Sequence, residues 1–161
     1  MNTLIVYASK YGLTADCAKK VKEGLEGGVT ILDINTAKQP ISLAEYDTVL
    51  IGGSVYVGKI AKSLRSFCTG NLAELEKKQI GIFLCCASVE RTTDTLKANF
   101  PAPLLAHAKV IKMFGCEARL DKMSFLDKKI IGAVTKGDYS KFKVLEDNIE
   151  KFVTKINTLN E

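Results

Sequence analysis

The chain has little with which to run catalysis from its own side chains. His107 is the only histidine, so a histidine-dependent triad and a histidine metal site are both excluded, and an exposed or packing role is expected for it. The five cysteines, Cys17, Cys68, Cys85, Cys86 and Cys116, contain no C-x-x-C spacing. An odd number without that spacing is neither a disulfide framework nor a zinc site. Reduced thiols packing as small hydrophobes are expected instead. Only 3 prolines and 12 glycines occur in 161 residues, which excludes collagen-like and low-complexity classes. No apolar run approaches the ~20 residues of a membrane span. The N-terminus runs straight into a strand pattern, without a basic leader or a small-residue cleavage site. No signal peptide is therefore expected, and a cytoplasmic location is.

What the chain does have is an alternation of strand and helix patterns. Residues 3–8, 29–33, 47–52, 79–86 and 109–115 read as five strands, several of them near-continuous apolar runs. Such runs suit a parallel sheet buried on both faces. Helices are expected over 14–25, 60–68, around 93–99, 125–136 and 144–159. In the first, Ala15, Ala18, Val21 and Leu25 fall at helical spacing before the Gly27-Gly28 stop. The last places Leu145, Ile149, Phe152, Val153, Ile156 and Leu159 on one stripe. Five strands interleaved with helices predict an α/β three-layer sandwich whose parallel sheet has the order 2-1-3-4-5. No internal repeat or linker interrupts residues 1–161, so one domain is expected.

In such sheets ligands bind beyond the carboxyl ends of the strands, at the point where the winding reverses. Three loops are therefore candidates. The first holds Ser9, Lys10, Tyr11, Gly12, Leu13 and Thr14 and opens onto a helix. A helix N-terminus offers unpaired N–H donors to a phosphate, and Ser9 and Thr14 add hydroxyls. Neither G-x-x-x-x-G-K-[ST] nor G-x-G-x-x-G is present, so a single phosphate group suits the loop better than a triphosphate or pyrophosphate. A helix cap at Ser9 or Thr14 without any ligand is the plain alternative. The second loop follows Gly52 with Gly53, Ser54, Val55, Tyr56, Val57 and Gly58. A Gly-Gly strand end marks close approach by a ligand or by another chain segment. Tyr56 reads either as a stacking partner for a planar ring or as a core aromatic beneath the turn. The third loop holds Cys86, Ala87, Ser88, Val89 and Glu90, then Arg91, which reads as a solvated charge. The absence of a paired-Asp loop after the first strand argues against a phospho-acceptor receiver. The absence of a cysteine in the first loop argues against a thiol-based phosphatase.

Residues 5–14, the 52–56 strand end and the 86–88 loop resemble the flavodoxin family. More closely, the chain resembles the branch that includes menaquinone-dependent protoporphyrinogen dehydrogenase, with 114–131 similar to that branch's basic and apolar helix after the fifth strand. The similarity spans essentially the whole chain and implies a flavodoxin-like domain over 1–161. It implies one noncovalently bound FMN, with its phosphate in 9–14, its ring between 54–58 and 86–90, and Tyr56 flanking the ring. It also implies backbone groups of 53–58 near the flavin N5. Three features depart from the family's electron carriers. Lys10-Tyr11 replaces small or hydroxyl residues, the third loop lacks a second aromatic, and the chain is basic rather than acidic. The branch's longer insertion near the fifth strand is also missing.

The implied function is electron transfer through FMN, with a redox partner protein or a small quinone as acceptor. Two alternatives stay open: direct oxidation of protoporphyrinogen or a quinone, and a non-redox interaction module. No side chain is expected to act as a general acid or base. The net charge of +5 is concentrated in residues 109–143, which hold nine basic and four acidic side chains. Within it, 125–136 carries adjacent Lys128 and Lys129 beside apolar Phe125, Ile130, Ile131 and Val134. It reads as a core helix with a solvated basic face, or as a docking surface for an acidic partner or an anionic membrane. No nucleic-acid partner is expected from so mild a charge.

Overall fold

The computed structural model describes residues 1–87 and 91–159. Five parallel strands, β1 (Asn2–Ala8), β2 (Gly28–Asp33), β3 (Thr48–Ser54), β4 (Gln79–Cys85) and β5 (Val110–Gly115), form one sheet in the order β2-β1-β3-β4-β5. The expected order is therefore found. Around the sheet run α1 (Leu13–Gly24), α2 (Lys62–Gly70), α3 (Leu72–Leu75), α4 (Thr92–Asn99), α5 (Ala102–His107), α6 (Phe125–Thr135) and α7 (Glu146–Thr158). The short helices α3 and α5 are additions to the sequence reading. Four and six residues are too few to display a periodic apolar face. None of the described helices is long and apolar enough to cross a membrane.

The two-residue period of the strands divides the core. Leu4, Val6, Val49, Ile51, Ile80, Ile82 and Leu84 point to one face, where Leu64, Phe67, Leu75 and Leu104 cover them. Ile5, Leu50, Phe83 and Cys85 point to the other, beneath α1 and α7. There Phe83 stacks on Phe114 at 4.8 Å between ring centroids, and both rings meet the edge of Phe152.

This packing explains the double glycine. A Cβ at Gly52 would lie 2.2 Å from Cζ of Phe83, its register partner on β4. One at Gly53 would meet Leu64, Ile60 and Leu84 at 3.1–3.3 Å. The close approach expected at this strand end is made by the chain itself, and β3 continues through both glycines to Ser54.

Cys17, Cys68, Cys85 and Cys86 are buried, and Cys116 is half-buried. The Cys17 and Cys85 sulfurs lie 3.8 Å apart between α1 and β4. Burial pushes the Cys68 thiol up to about 12. His107 is partly buried and donates from Nε2 to the carbonyl of Lys78 at 2.7 Å.

Candidate functional site

The carboxyl ends of β1 and β3 bring the first two loops together. Between them lies a cavity of about 310 Å³, lined by Ser9, Lys10, Asn35, Ser54, Tyr56 and Lys59, among others. Asn35 follows β2 and was not anticipated. The described part of the third loop is joined to the same end. Val55 N–H donates to the Cys85 carbonyl, and Cys86 N–H donates to Gly115. Cys86 is buried and Ala87 exposed, while Ser88, Val89 and Glu90 lie outside the described residues.

The first loop is folded by its own side chains. Gly12 N–H donates to Ser9 Oγ at 3.0 Å, and Gly12 caps α1 from the left-handed region at φ 91°. Glycine suits this position because a Cβ is disfavoured at that dihedral. Ser9 therefore shapes the loop, and no side chain caps the helix. Thr14, in the first turn of α1, is fully buried, and its hydroxyl has no oxygen or nitrogen partner among the described residues, only the Cys85 thiol, whose pKa it helps to lower. A buried hydroxyl is satisfied only weakly by a thiol. Its place beside a helix N-terminus is one that a ligand oxygen would satisfy.

Residues after β5 close over this loop. Arg119 donates from Nη2 to Asp16 at 2.8 Å, from Nε to Glu117 at 2.7 Å and from Nη1 to the Tyr11 carbonyl at 3.4 Å. The hydrogen bond from Arg119 holds the Asp16 carboxyl below its usual range, against the opposing pull of desolvation. A Cβ on Gly12 would lie 3.0 Å from Arg119 Nη1 and 3.7 Å from Lys122 Nζ. Two cations thus stand at the entrance to the loop.

Helix α6 adds an acid. Ser124 caps it, its Oγ accepting from Asp127 N–H at 3.2 Å. Asp127 is buried and accepts from the hydroxyls of both Tyr11 and Tyr56. Lys10 Nζ lies 3.1 Å from the same carboxylate and 3.3 Å from the centroid of the Tyr56 ring. One face of Tyr56, expected to flank a ring, is thus covered by Lys10.

The second loop is a tight turn. Tyr56 and Lys59 exchange backbone hydrogen bonds of 2.8 and 3.0 Å across Val57 (φ 48°) and Gly58 (φ 71°). Two positive φ values in succession are the signature of a type I′ turn. Asn99 on α4 secures it. Its Nδ2 donates to the Gly58 carbonyl at 2.8 Å, and its Oδ1 accepts from Ile60 N–H at 3.0 Å. A β-branched residue at positive φ is strained, and Val57 is exposed. Val57→Asn is expected to raise stability by about 0.5–1 kcal/mol, because asparagine tolerates this region and favours this turn. A urea midpoint that stays put or falls would refute the strain.

Asn99, Arg119 and Asp127, like Asn35, are side chains at the candidate site that the reading of the three loops does not name. Each belongs to an element that forms no part of the three loops and reaches them only through the fold. For Arg119 and Asp127 the available signals are the 114–131 resemblance and, three residues ahead of Asp127, a serine that marks a helix start rather than a site.

A family model described as a flavodoxin domain matches residues 4–144. The oxidised flavodoxin 1 of Bacillus cereus is 12% identical, with a TM-score of 0.56 over 100% of this chain and 99% of that one. A flavoprotein from Lactobacillus acidophilus, solved in complex with FMN, is 15% identical, with a TM-score of 0.54 over 70% and 92%. A short-chain flavodoxin associated with a bacterial microcompartment is 18% identical, with a TM-score of 0.54 over 86% and 99%. No curated protein matches the sequence. At these identities the solved structures share the fold, and the matched residues, from β1 through the entry to α7, carry all three loops. This chain belongs to the flavodoxin domain family.

Proposed function

We propose that the chain is a redox protein that binds one FMN noncovalently at the ends of β1, β3 and β4. The observation that carries this reading is the start of α1, where the buried Thr14 hydroxyl sits in the first turn and Arg119 and Lys122 stand beside Gly12 at the cap. A phosphate there would accept from Thr14 and from the free N–H groups of the first helical turn, while the two cations offset its charge. FMN, when bound, takes up and returns one or two electrons. Ser9 and Gly12 hold the loop open for it. Asn99 fixes the 54–58 turn that would line its ring, together with Tyr56 and the 86–90 loop. Lys10, 38% exposed in its side chain, has room to turn outward and uncover Tyr56. The electrons would pass to a partner protein or a quinone.

Equilibrium dialysis against FMN and riboflavin tests the reading. One FMN per chain is expected, held more tightly than riboflavin. Failure to retain FMN at about 1 mM, where even about −4.1 kcal/mol of binding registers, would overturn it.

A second reading has one observation in its favour. The 114–131 segment, which resembles the protoporphyrinogen dehydrogenase branch, does reach the site through Arg119 and Asp127. Turnover of protoporphyrinogen with menadione as acceptor would establish direct action on substrate, and its absence in a flavin-loaded chain would leave the carrier.

A further inference from the structure

Helix α6 is turned the wrong way for a core helix. Its one buried residue among the described side chains is Asp127. Of the apolar side read from the sequence, Phe125 is 75% exposed, Val134 78% and Ile130 38%, while Ile131 is half-buried; Leu126 beside them is 66% exposed. Seven large apolar side chains are exposed among the described residues, and four of them, Phe125, Leu126, Ile130 and Val134, lie on this single helix. At 100° per residue, Leu126, Ile130, Ala133 and Val134 form one continuous outward stripe. Such a clustered patch marks an interaction surface, whereas scattered exposed residues would not.

Its surroundings are positive. Lys128, Lys129 and Lys136 are exposed around the stripe, and Lys129 lies 4.9 Å from the Phe125 ring centroid. Of the segment's four acids, Glu117 pairs with Arg119 and Asp127 pairs inward with Lys10, which leaves exposed Asp121 and Asp138 against the exposed lysines. The 109–143 segment therefore presents an outward charge excess of one sign.

We propose that the outward face of α6 docks this protein on an anionic lipid surface. A second copy would bring lysines against lysines. An exposed apolar stripe bordered by lysines has the two parts that an anionic lipid surface takes up. There the ammonium groups meet headgroup charge, and the apolar stripe sinks to the acyl boundary. The surface does not depend on what the cavity binds.

Vesicle co-sedimentation of the full chain is the test, using phosphatidylcholine with and without phosphatidylglycerol. Binding is expected only with phosphatidylglycerol, and high salt should reverse it. The double variants Phe125→Ser/Leu126→Ser and Lys128→Glu/Lys129→Glu should each weaken it by about tenfold. Val134→Ser is a third, single-site variant, expected to weaken binding in the same direction. Circular dichroism melting of each variant should be unchanged, since these side chains are exposed. Absence of binding to phosphatidylglycerol vesicles, or binding that survives both double variants, would overturn the proposal. Retention on immobilised polyglutamate without vesicle binding would also overturn it, assigning the face to an acidic protein.

Discussion

Replacing Gly52 with alanine is expected to cost about 3 kcal/mol or more of stability, the upper end of what overpacking a core brings. The added methyl would lie 2.2 Å from Cζ and 2.4 Å from Cε2 of Phe83. Phe83 has nowhere to retreat. It is fully buried, stacked on Phe114 with planes 13° apart and set edge-on to Phe152 at 5.7 Å. The backbone of β3 is equally constrained, because it pairs with β1 on one side and β4 on the other. Gly53→Ala is the natural control. Its methyl would meet the flexible ends of Leu64, Ile60 and Leu84 at 3.1–3.3 Å, so a loss of about 1 kcal/mol is expected. Urea unfolding at constant slope measures both. Phe83→Leu in the Gly52→Ala background should restore part of the loss, since the clash is between those two residues. Equal losses at the two glycines would show that the strand end is not governed by the Phe83 ring.

Thr14→Val is expected to move two properties in opposite directions. The substitution nearly preserves shape and removes a buried hydroxyl that has only the weakly bonding Cys85 thiol for a partner. Chain stability in the absence of FMN should therefore hold or rise by about 1 kcal/mol. FMN affinity should fall about ten- to a hundredfold, the worth of a hydrogen bond to a charged group. Riboflavin affinity should stay the same, because only the phosphate would use this hydroxyl. Unfolding curves and parallel titrations of the two flavins give all three numbers. A chain that loses stability with Thr14→Val, yet keeps its preference for FMN over riboflavin, would place the phosphate elsewhere.

Helix α6 shows where reading along the chain stops. Its apolar and basic residues fit two readings equally, a core helix with a solvated basic face and an outward docking surface. The fold buries the single acid, because Asp127 finds two tyrosine hydroxyls and an ammonium group waiting in the loops. Periodicity fixes which residues share a face. It carries no sign to say which face turns inward when a polar partner competes. Tyr56 makes the same point. Its position at the site was legible, but the Lys10 ammonium over its ring depends on a backbone path that brings residues 46 apart in sequence into contact.

The α/β class and the loops at the carboxyl ends of the strands are legible along the chain, from apolar runs of strand length and helical spacing between them. The strand order is the doubly wound one that five such strands favour. The double glycine's purpose, the cover over the first loop and the outward turn of α6 emerge only from packing. Each depends on contacts between residues far apart in the chain: Gly52 with Phe83, Arg119 with Tyr11, and Asp127 with Tyr11 and Tyr56. Spacing along a chain encodes the period of an element, while the partners of a side chain are set only when the elements pack.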